Sequence, residues 1–386
     1  MALVSSTDEL DKFCSEVLEM SKYVTIDTEF VRRNTYYAKL CLIQLGFETK
    51  GTKNVILIDP LLTELNLTAL KKLLENKKVT KIIHAGRQDL EIFLHLFDFL
   101  PAPLFDTQIA AMVCGMGEQE SYESLVKKLL GKQLDKQYQY TDWSKRPLSA
   151  EQLKYASEDV YFLCDIYEIL KRKLSDLGRS DWVKEEIEKL TNRDSYSSKE
   201  TSSLKKIKNV NGNIHFKNLV AALVDLRELI AQELNLPRNH VIRDSLVLKL
   251  ARNLPKNIDE LKELKIFSPK INLSAYYSRI LNICNDQRLL EKNPIIMSAN
   301  QKPNDYTMNV VNLLKILLRI KSVELRVATK LIATTKDLET IACEKNPDVP
   351  ALKGWRRQIF GLEALKLKEG KIALSVKGHG IKIVNV

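Results

Sequence analysis

Apolar and polar positions over the first 190 residues switch between two periods. The runs "YVTIDTEF", "KLCLIQLGF" and "NVILIDP" are short, β-rich and closely spaced, which predicts a meander of neighbouring strands. "LTALKKLLENKK" then takes helical spacing. "TKIIHAG" reads as a buried strand ended by Gly86, and the apolar helix "QDLEIFLHLF" follows it. After "LFDTQIAAMVCG" and "SYESLVKKLLG", a long helical pattern runs from about Ser149 to Leu177. Ser149 and Gln152 have the spacing of a capping box at its start. Strands first, then strand–helix alternation, predict an α/β domain over 1–190 with a mixed sheet flanked by helices.

From about Thr191 the pattern changes. "TNRDSYSSKETSSLKKIKNVNGN" has few large apolar residues and reads as a linker over 191–212. Beyond it the pattern is helical, with no convincing strand before the end of the chain. "FKNLVAALVDLRELIAQEL", "VIRDSLVLKLARNL", "IDELKEL" and "AYYSRILNICN" mark a first small helical domain over 213–292. A second break over 293–307 carries two prolines. "MNVVNLLKILLRIKSVEL", "VATKLIA", "TKDLETIA" and "GWRRQIFGLEALKLKEG" mark a second over 308–386. Both stretches run helix, then short helix, an order that suggests a diverged duplication.

A chain of 386 residues is too long for one ordinary core. The start lacks the basic-then-apolar order of a secretory signal, and no apolar run approaches membrane-spanning length, so a cytoplasmic protein is expected. The six cysteines show no C-x-x-C pairing and the five histidines no H-E-x-x-H spacing, which argues against a zinc cluster or a disulfide framework. Charge divides unevenly: residues 1–200 sum to about −4 and residues 201–386 to about +15 of the net +11. A basic second half implies a polyanionic partner. Nucleic acid fits better than a membrane, because no stretch joins a basic face to large aromatic anchors.

Against this background three acidic patterns stand out. Asp27 and Glu29 are two apart on a strand and so share a face, where two carboxylates repel unless a cation sits between them. Asp89 opens a helix just after a buried strand, where an acid also suits the helix dipole. Tyr155 and Asp159 are four apart on the long helix and face the same way. Taken singly, each has an ordinary reading as a solvent-facing or capping group.

Together they form a constellation that resembles the DEDD exonuclease superfamily, and within it ribonuclease D with its tyrosine-containing third motif. "IDTEFVRRNTYYAKLCLIQLG", "HAGRQDLEIF", "FDTQIAAM" and "LDKQYQYTDWSKRPLSAEQLKYASEDVYFL" stand in the family's order. The C-terminal half resembles the helicase-and-RNase-D C-terminal (HRDC) domain, in two copies. The resemblance implies a ribonuclease H-like α/β exonuclease domain followed by two small all-α domains. It also implies hydrolysis with two divalent ions, Mg²⁺ or Mn²⁺, held by Asp27, Glu29, Asp89 and Asp159, with Tyr155 orienting the attacking water. By the same resemblance Phe30 and Ile92 would sandwich the terminal base, Lys136 would meet a phosphate, and Arg146 would touch the backbone. His84, Gln88, Trp143 and Pro147 would be scaffolding.

The expected activity is therefore 3′→5′ exoribonuclease cleavage of RNA 3′ ends such as tRNA precursors, releasing nucleoside 5′-monophosphates from a monomeric enzyme. Basic segments such as "LKKIKN", "RNLPKN" and "KGWRRQ" would grip phosphates. No G-x-x-x-x-G-K-[ST] is present, so neither a helicase nor a nucleotide cofactor is expected. Two other readings compete: a DNA 3′→5′ exonuclease with the same four acids, and a catalytically silent RNA-binding scaffold. An intact set of acids and tyrosine weighs against the scaffold.

Overall fold

A computed structural model describes residues 2–4, 6–62, 64–196, 207, 210, 212–266, 273–286 and 304–386. The expected meander is present: β2 (Tyr23–Val31), β3 (Lys39–Thr49) and β4 (Thr52–Ile58) are consecutive antiparallel neighbours. β1 (Ala2–Val4) adds parallel to β4 at one edge. β5 (Thr80–Ile83) and β6 (Leu104–Asp106) add parallel at the other, giving the order β1-β4-β3-β2-β5-β6.

Register decides what each face of this mixed sheet does. Val24, Ile26, Leu45 and Phe47 share one face, and Phe47 meets Phe13 of α1 (Thr7–Met20) edge to face at 5.1 Å. Against the same core packs α2 (Thr68–Glu75). Thr25, Asp27 and Glu29 share the opposite face with Gly46, Gln44 and Leu42, and this face lies under α6 (Ala150–Asp176). The approach is close, since Thr25 Oγ1 lies 3.0 Å from both Gly46 O and Val160 O. A Cβ at position 46 would stand 2.6 Å from that hydroxyl, so glycine is what lets α6 settle onto β3. The capping box forms as expected, with Gln152 N to Ser149 Oγ at 3.2 Å and Ser149 N to Gln152 Oε1 at 2.9 Å.

α3 (Arg87–Phe97) follows β5. Asp106, at the end of β6, ties its entry down by accepting from the amides of Gly86 (3.0 Å) and Gln108 (2.8 Å), so the same carboxylate caps α4 (Thr107–Val113). α5 (Tyr122–Leu130) and α7 (Ser180–Leu190) complete this part of the chain.

Two helical bundles follow. The first contains α8 (Ile214–Glu233), α9 (Arg238–Val241), α10 (Asp244–Asn253), α11 (Ile258–Glu263) and α12 (Tyr277–Cys284) around a core of their own. The second contains α13 (Asp305–Leu325), α14 (Thr329–Ile332) and α15 (Thr335–Cys343). α16 (Gly354–Arg356) then passes through a π turn (Arg357–Gly361) into α17 (Leu362–Lys368). Both bundles open with a long helix, a four-residue helix and a helix of 9 or 10 residues, the shared order the sequence suggests. To the expected helices the chain adds a hairpin of β7 (Ile372–Lys377) and β8 (Gly380–Asn385). Alternating Ile372, Leu374 and Val376 suit a strand, and Gly378 supplies the positive φ of the turn. The break expected over 293–307 lies outside the described residues as far as 303, as does most of "LKKIKN".

The second bundle is continuous with the apolar core of the sheet domain. Trp182 stacks on Trp355 at 4.3 Å, and Arg179 donates to Val113 O and Leu325 O. The first bundle meets the sheet domain at the loop after β2, where Tyr36 packs against its core and pairs with Glu228, while Tyr37 N donates to Asn235 Oδ1 at 3.0 Å.

Candidate active site

β2 and α6 together bring Asp27, Glu29 and Asp159 to one point, with a carboxylate oxygen of each within 4.8 Å of the others. β2 sets Asp27 and Glu29 on the α6 face. A register shift between Glu29 and Phe30 then bends the ladder at the place where the acids end. Among the described residues, none of these acids forms an ion pair. Burial is the main force raising their pKa values, and mutual repulsion adds to it. Asp27 is pushed well above the ordinary carboxylate range by burial and then by Asp159, Asp89 and Glu29. Glu29 is pushed up to about 9 by burial, with Asp159 and Asp89 adding to it. Asp159 rises to about 8 through burial and the nearby Glu158, against a hydrogen bond from Tyr155 that draws it down.

Asp89 stands slightly apart, in the first turn of α3. It accepts a hydrogen bond from Thr28, which points to the other face of β2, and burial raises it to about 6 while that bond lowers it. It is close enough to raise both Asp27 and Glu29. Tyr155 lies one turn before Asp159 on α6. Burial and the charges of Asp159, Glu29 and Asp27 raise its pKa further above that of a free phenol, so it is a hydrogen-bond donor and not a base.

A cavity of about 400 Å³ opens over these groups. Asp27, Glu29, Asp159, Tyr155 and Phe30 line it, and His84 and Gln88 stand at its wall. Ile92 is buried one turn past Asp89 and does not line the cavity. Lys136 is paired with Glu123 on α5 and also stays out of it. The expected phosphate contact of Arg146 is not available here, because all five of its N–H donors are taken. Nε and Nη2 grip Asp59 at 2.5 and 2.7 Å, Nη2 also meets Cys41 O at 2.6 Å, and Nη1 donates to Trp143 O and Lys145 O at 2.8 Å. Arg146 instead fastens the segment before α6 to β3 and β4. Trp143 is buried under Tyr155, with ring centroids 6.0 Å apart.

Sequence reasoning missed several residues at or beside the site, Thr28 among them. Tyr122, Gln139 and Tyr140 line the cavity, and Gln44 sits opposite Asp27 in the β2–β3 register, fully buried with its amide lacking a protein partner. The aromatic–polar run "KQYQYTDW" is a usable signal for Gln139 and Tyr140. A glutamine inside the apolar run "CLIQLGF" is one for Gln44.

The donors converging here are all carboxylate oxygens, half-buried and, among the described residues, without a paired cation, which fits a hard divalent ion and not a soft metal. The chain matches the family description "3'-5' exonuclease" over residues 1–175 and "HRDC domain" over residues 216–284. It is 39% identical to a ribonuclease D of Jannaschia sp. over 99% of both chains. It is also 39% identical to one of Granulibacter bethesdensis over 99% of this chain and 96% of that one.

The chain belongs to the ribonuclease D family.

The solved structure of Escherichia coli RNase D, described as an exoribonuclease involved in structured RNA processing, superposes with a TM-score of 0.79 at 27% identity, covering 95% of this chain and 98% of that one. The ribonuclease D fold and the 3′→5′ exoribonuclease activity expected from the resemblance both stand. No helix among the described residues is long and apolar enough to cross a membrane.

Proposed function

We propose that this member of the ribonuclease D family acts as a monomer on the 3′ ends of structured RNAs, tRNA precursors among them, and releases nucleoside 5′-monophosphates. The observation that carries the reading is the set of three half-buried carboxylates within 4.8 Å that line an open cavity and, among the described residues, have no ion-pair partner. Mg²⁺ or Mn²⁺ held there by Asp27, Glu29 and Asp159, with Asp89 as the fourth acid, would supply charge neutralisation at the phosphate and an activated water.

The chain's own residues do the rest. Tyr155, held protonated, donates a hydrogen bond and orients the attacking water. Phe30, at the cavity wall, offers a ring face to the terminal base. Thr28 fixes Asp89 to the strand that carries Asp27. Residues 1–190 form the catalytic domain, and the basic helical domains over 213–292 and 308–386 hold the RNA.

The test is a 5′-labelled RNA with a short 3′ tail, incubated with Mg²⁺, Mn²⁺ or chelator beside an Asp159→Ala variant and a matched DNA. A one-nucleotide ladder from the 3′ end, lost with chelator and with the variant, is expected. Equal attack on the DNA overturns the substrate assignment. Binding without degradation under either metal overturns the enzymatic reading and leaves a scaffold.

A further inference from the structure

We propose that the cleft between the loop after β2 and the α8–α10 corner of the first bundle is a binding site for the backbone phosphates of the RNA strand upstream of the bond being cut. The proposal rests on the RNA-processing reading above and adds a second contact point to it. The cleft has a volume of about 410 Å³; Arg32, Arg33, Arg227 and Arg238 line it together with Glu91 and Asp244, and Glu228 and Asp142 pair with two of the arginines from beside it. Four guanidinium groups in one cleft suit phosphate, whose oxygens match their forked donors.

Arg227 is the least expected of the four. Its side chain is 2% exposed and its Nε has no partner, although Nη1 donates to Ile242 O at 3.0 Å and to Asp244 Oδ1 at 2.6 Å. A guanidinium held this deep by one carbonyl and one carboxylate is a fixed positive charge in the wall of the cleft. The other arginines are held loosely. Arg32 pairs with Glu91 at 2.8 Å with both side chains over a third exposed, and Arg33, 67% exposed, reaches only Asp142 at 3.5 Å. Ion pairs this exposed contribute little and are readily exchanged for a phosphodiester. Arg238 is anchored more firmly, by Glu228.

The position fits a strand leaving the catalytic cavity. Arg32 follows Glu29 by three residues, which limits their α-carbon separation to about 11 Å. Glu91 follows Asp89 by two. A strand with its 3′ end at the acids therefore meets the cleft within its next few phosphates.

The experiment is binding of a fluorescein-labelled 12-nucleotide single-stranded RNA to the full chain in chelator, across a salt series. It needs no cleavage, so its outcome is independent of whether the catalytic reading stands. Arg33→Ala is expected to weaken binding about tenfold and to reduce the slope of log K against log salt by about 0.7, the loss of one single-strand phosphate contact. Glu91→Gln, which frees Arg32, is expected to tighten binding two- to threefold. Unchanged affinity in both variants overturns the proposal. So does weakened binding with an unchanged salt slope, since that marks altered packing. Complete competition by millimolar inorganic phosphate at constant ionic strength also overturns it, in favour of a site for the released mononucleotide. If Arg33→Ala lowers the melting temperature, Glu91→Gln decides alone.

Discussion

Asp27, Glu29 and Asp159 converge within 4.8 Å with no ion-pair partner among the described residues, while on α7 another half-buried carboxylate, Glu186, is fully paired. Arg356 grips Glu186 through two bonds of 2.5 and 2.7 Å, Lys189 adds a third at 2.9 Å, and Trp355 Nε1 approaches at 3.3 Å. The residue type is the same and its treatment is opposite. Burial raises both kinds of carboxyl, but at Glu186 the arginine and lysine outweigh it and the pKa falls below the ordinary value. At the sheet nothing opposes burial except hydrogen bonds. Where buried acids join two parts of a chain, the fold supplies their counter-charge; where they do chemistry, it leaves the counter-charge to a ligand.

The sharpest way to test that difference is to neutralise one acid on each side. Asp159→Asn is expected to lower kcat by at least about a thousandfold, the scale on which residues acting as a unit fail when one is lost. It is also expected to raise the melting temperature of the chelated protein, because repulsion and the burial of a charge are both relieved. A lower melting temperature would show that the cluster is compensated after all. Arg356→Ala is expected to cost about 3–5 kcal/mol in a denaturant titration, since Glu186 is then left buried and unpaired. A cost under about 1 kcal/mol would place that pair with ordinary surface pairs. Tyr155→Phe is expected to lower kcat about 10- to 100-fold with little change in KM, as befits a positioning group, and single-turnover rates check it.

The smallest effect is the most diagnostic. Carboxyls with folded pKa values near 9, 8 and 6 at Glu29, Asp159 and Asp89 compare with unfolded values of about 4. The folded chain therefore holds protons that the unfolded chain has lost, and these groups destabilise it progressively as pH rises from about 4 to 9. Glu186 has the opposite sign: its contribution is present above its unfolded pKa and is lost as pH falls through its lowered folded one. Melting curves in chelator should show a decline toward alkaline pH that Asp159→Asn flattens, and an acid-side loss that Glu186→Gln reduces. Adding Mg²⁺ should raise the alkaline end most, because a metal replaces the protons there.

How far the sequence discloses this depends on whether a feature is local. The meander follows from the alternation in three adjacent runs, and the cap of α6 from Ser149 and Gln152 three residues apart. The D-x-E and Y-x-x-x-D spacings put the right side chains on one strand face and one helix face. Whether those faces oppose each other depends on Gly46, which no periodicity marks out as the place where a helix touches the sheet. Pairings across long separations stay hidden. Arg146 belongs to Asp59 and Arg356 to Glu186, 87 and 170 residues away, so a basic residue near a motif looks like a phosphate contact until its partner is known. The "KGWRRQ" segment shows the same thing: the first arginine after its tryptophan is part of the interface with α7 and is not available to RNA.

The stacked pair of Trp182 and Trp355 has an optical consequence. The chain has three tryptophans, and two of them lie ring on ring at 4.3 Å between the sheet domain and the second bundle, while the third, Trp143, is buried beneath Tyr155. Replacing Trp143 by Phe would confine the tryptophan emission of the enzyme to that one seam. Undocking of the bundle could then be followed in real time, without a label, during catalysis on RNA.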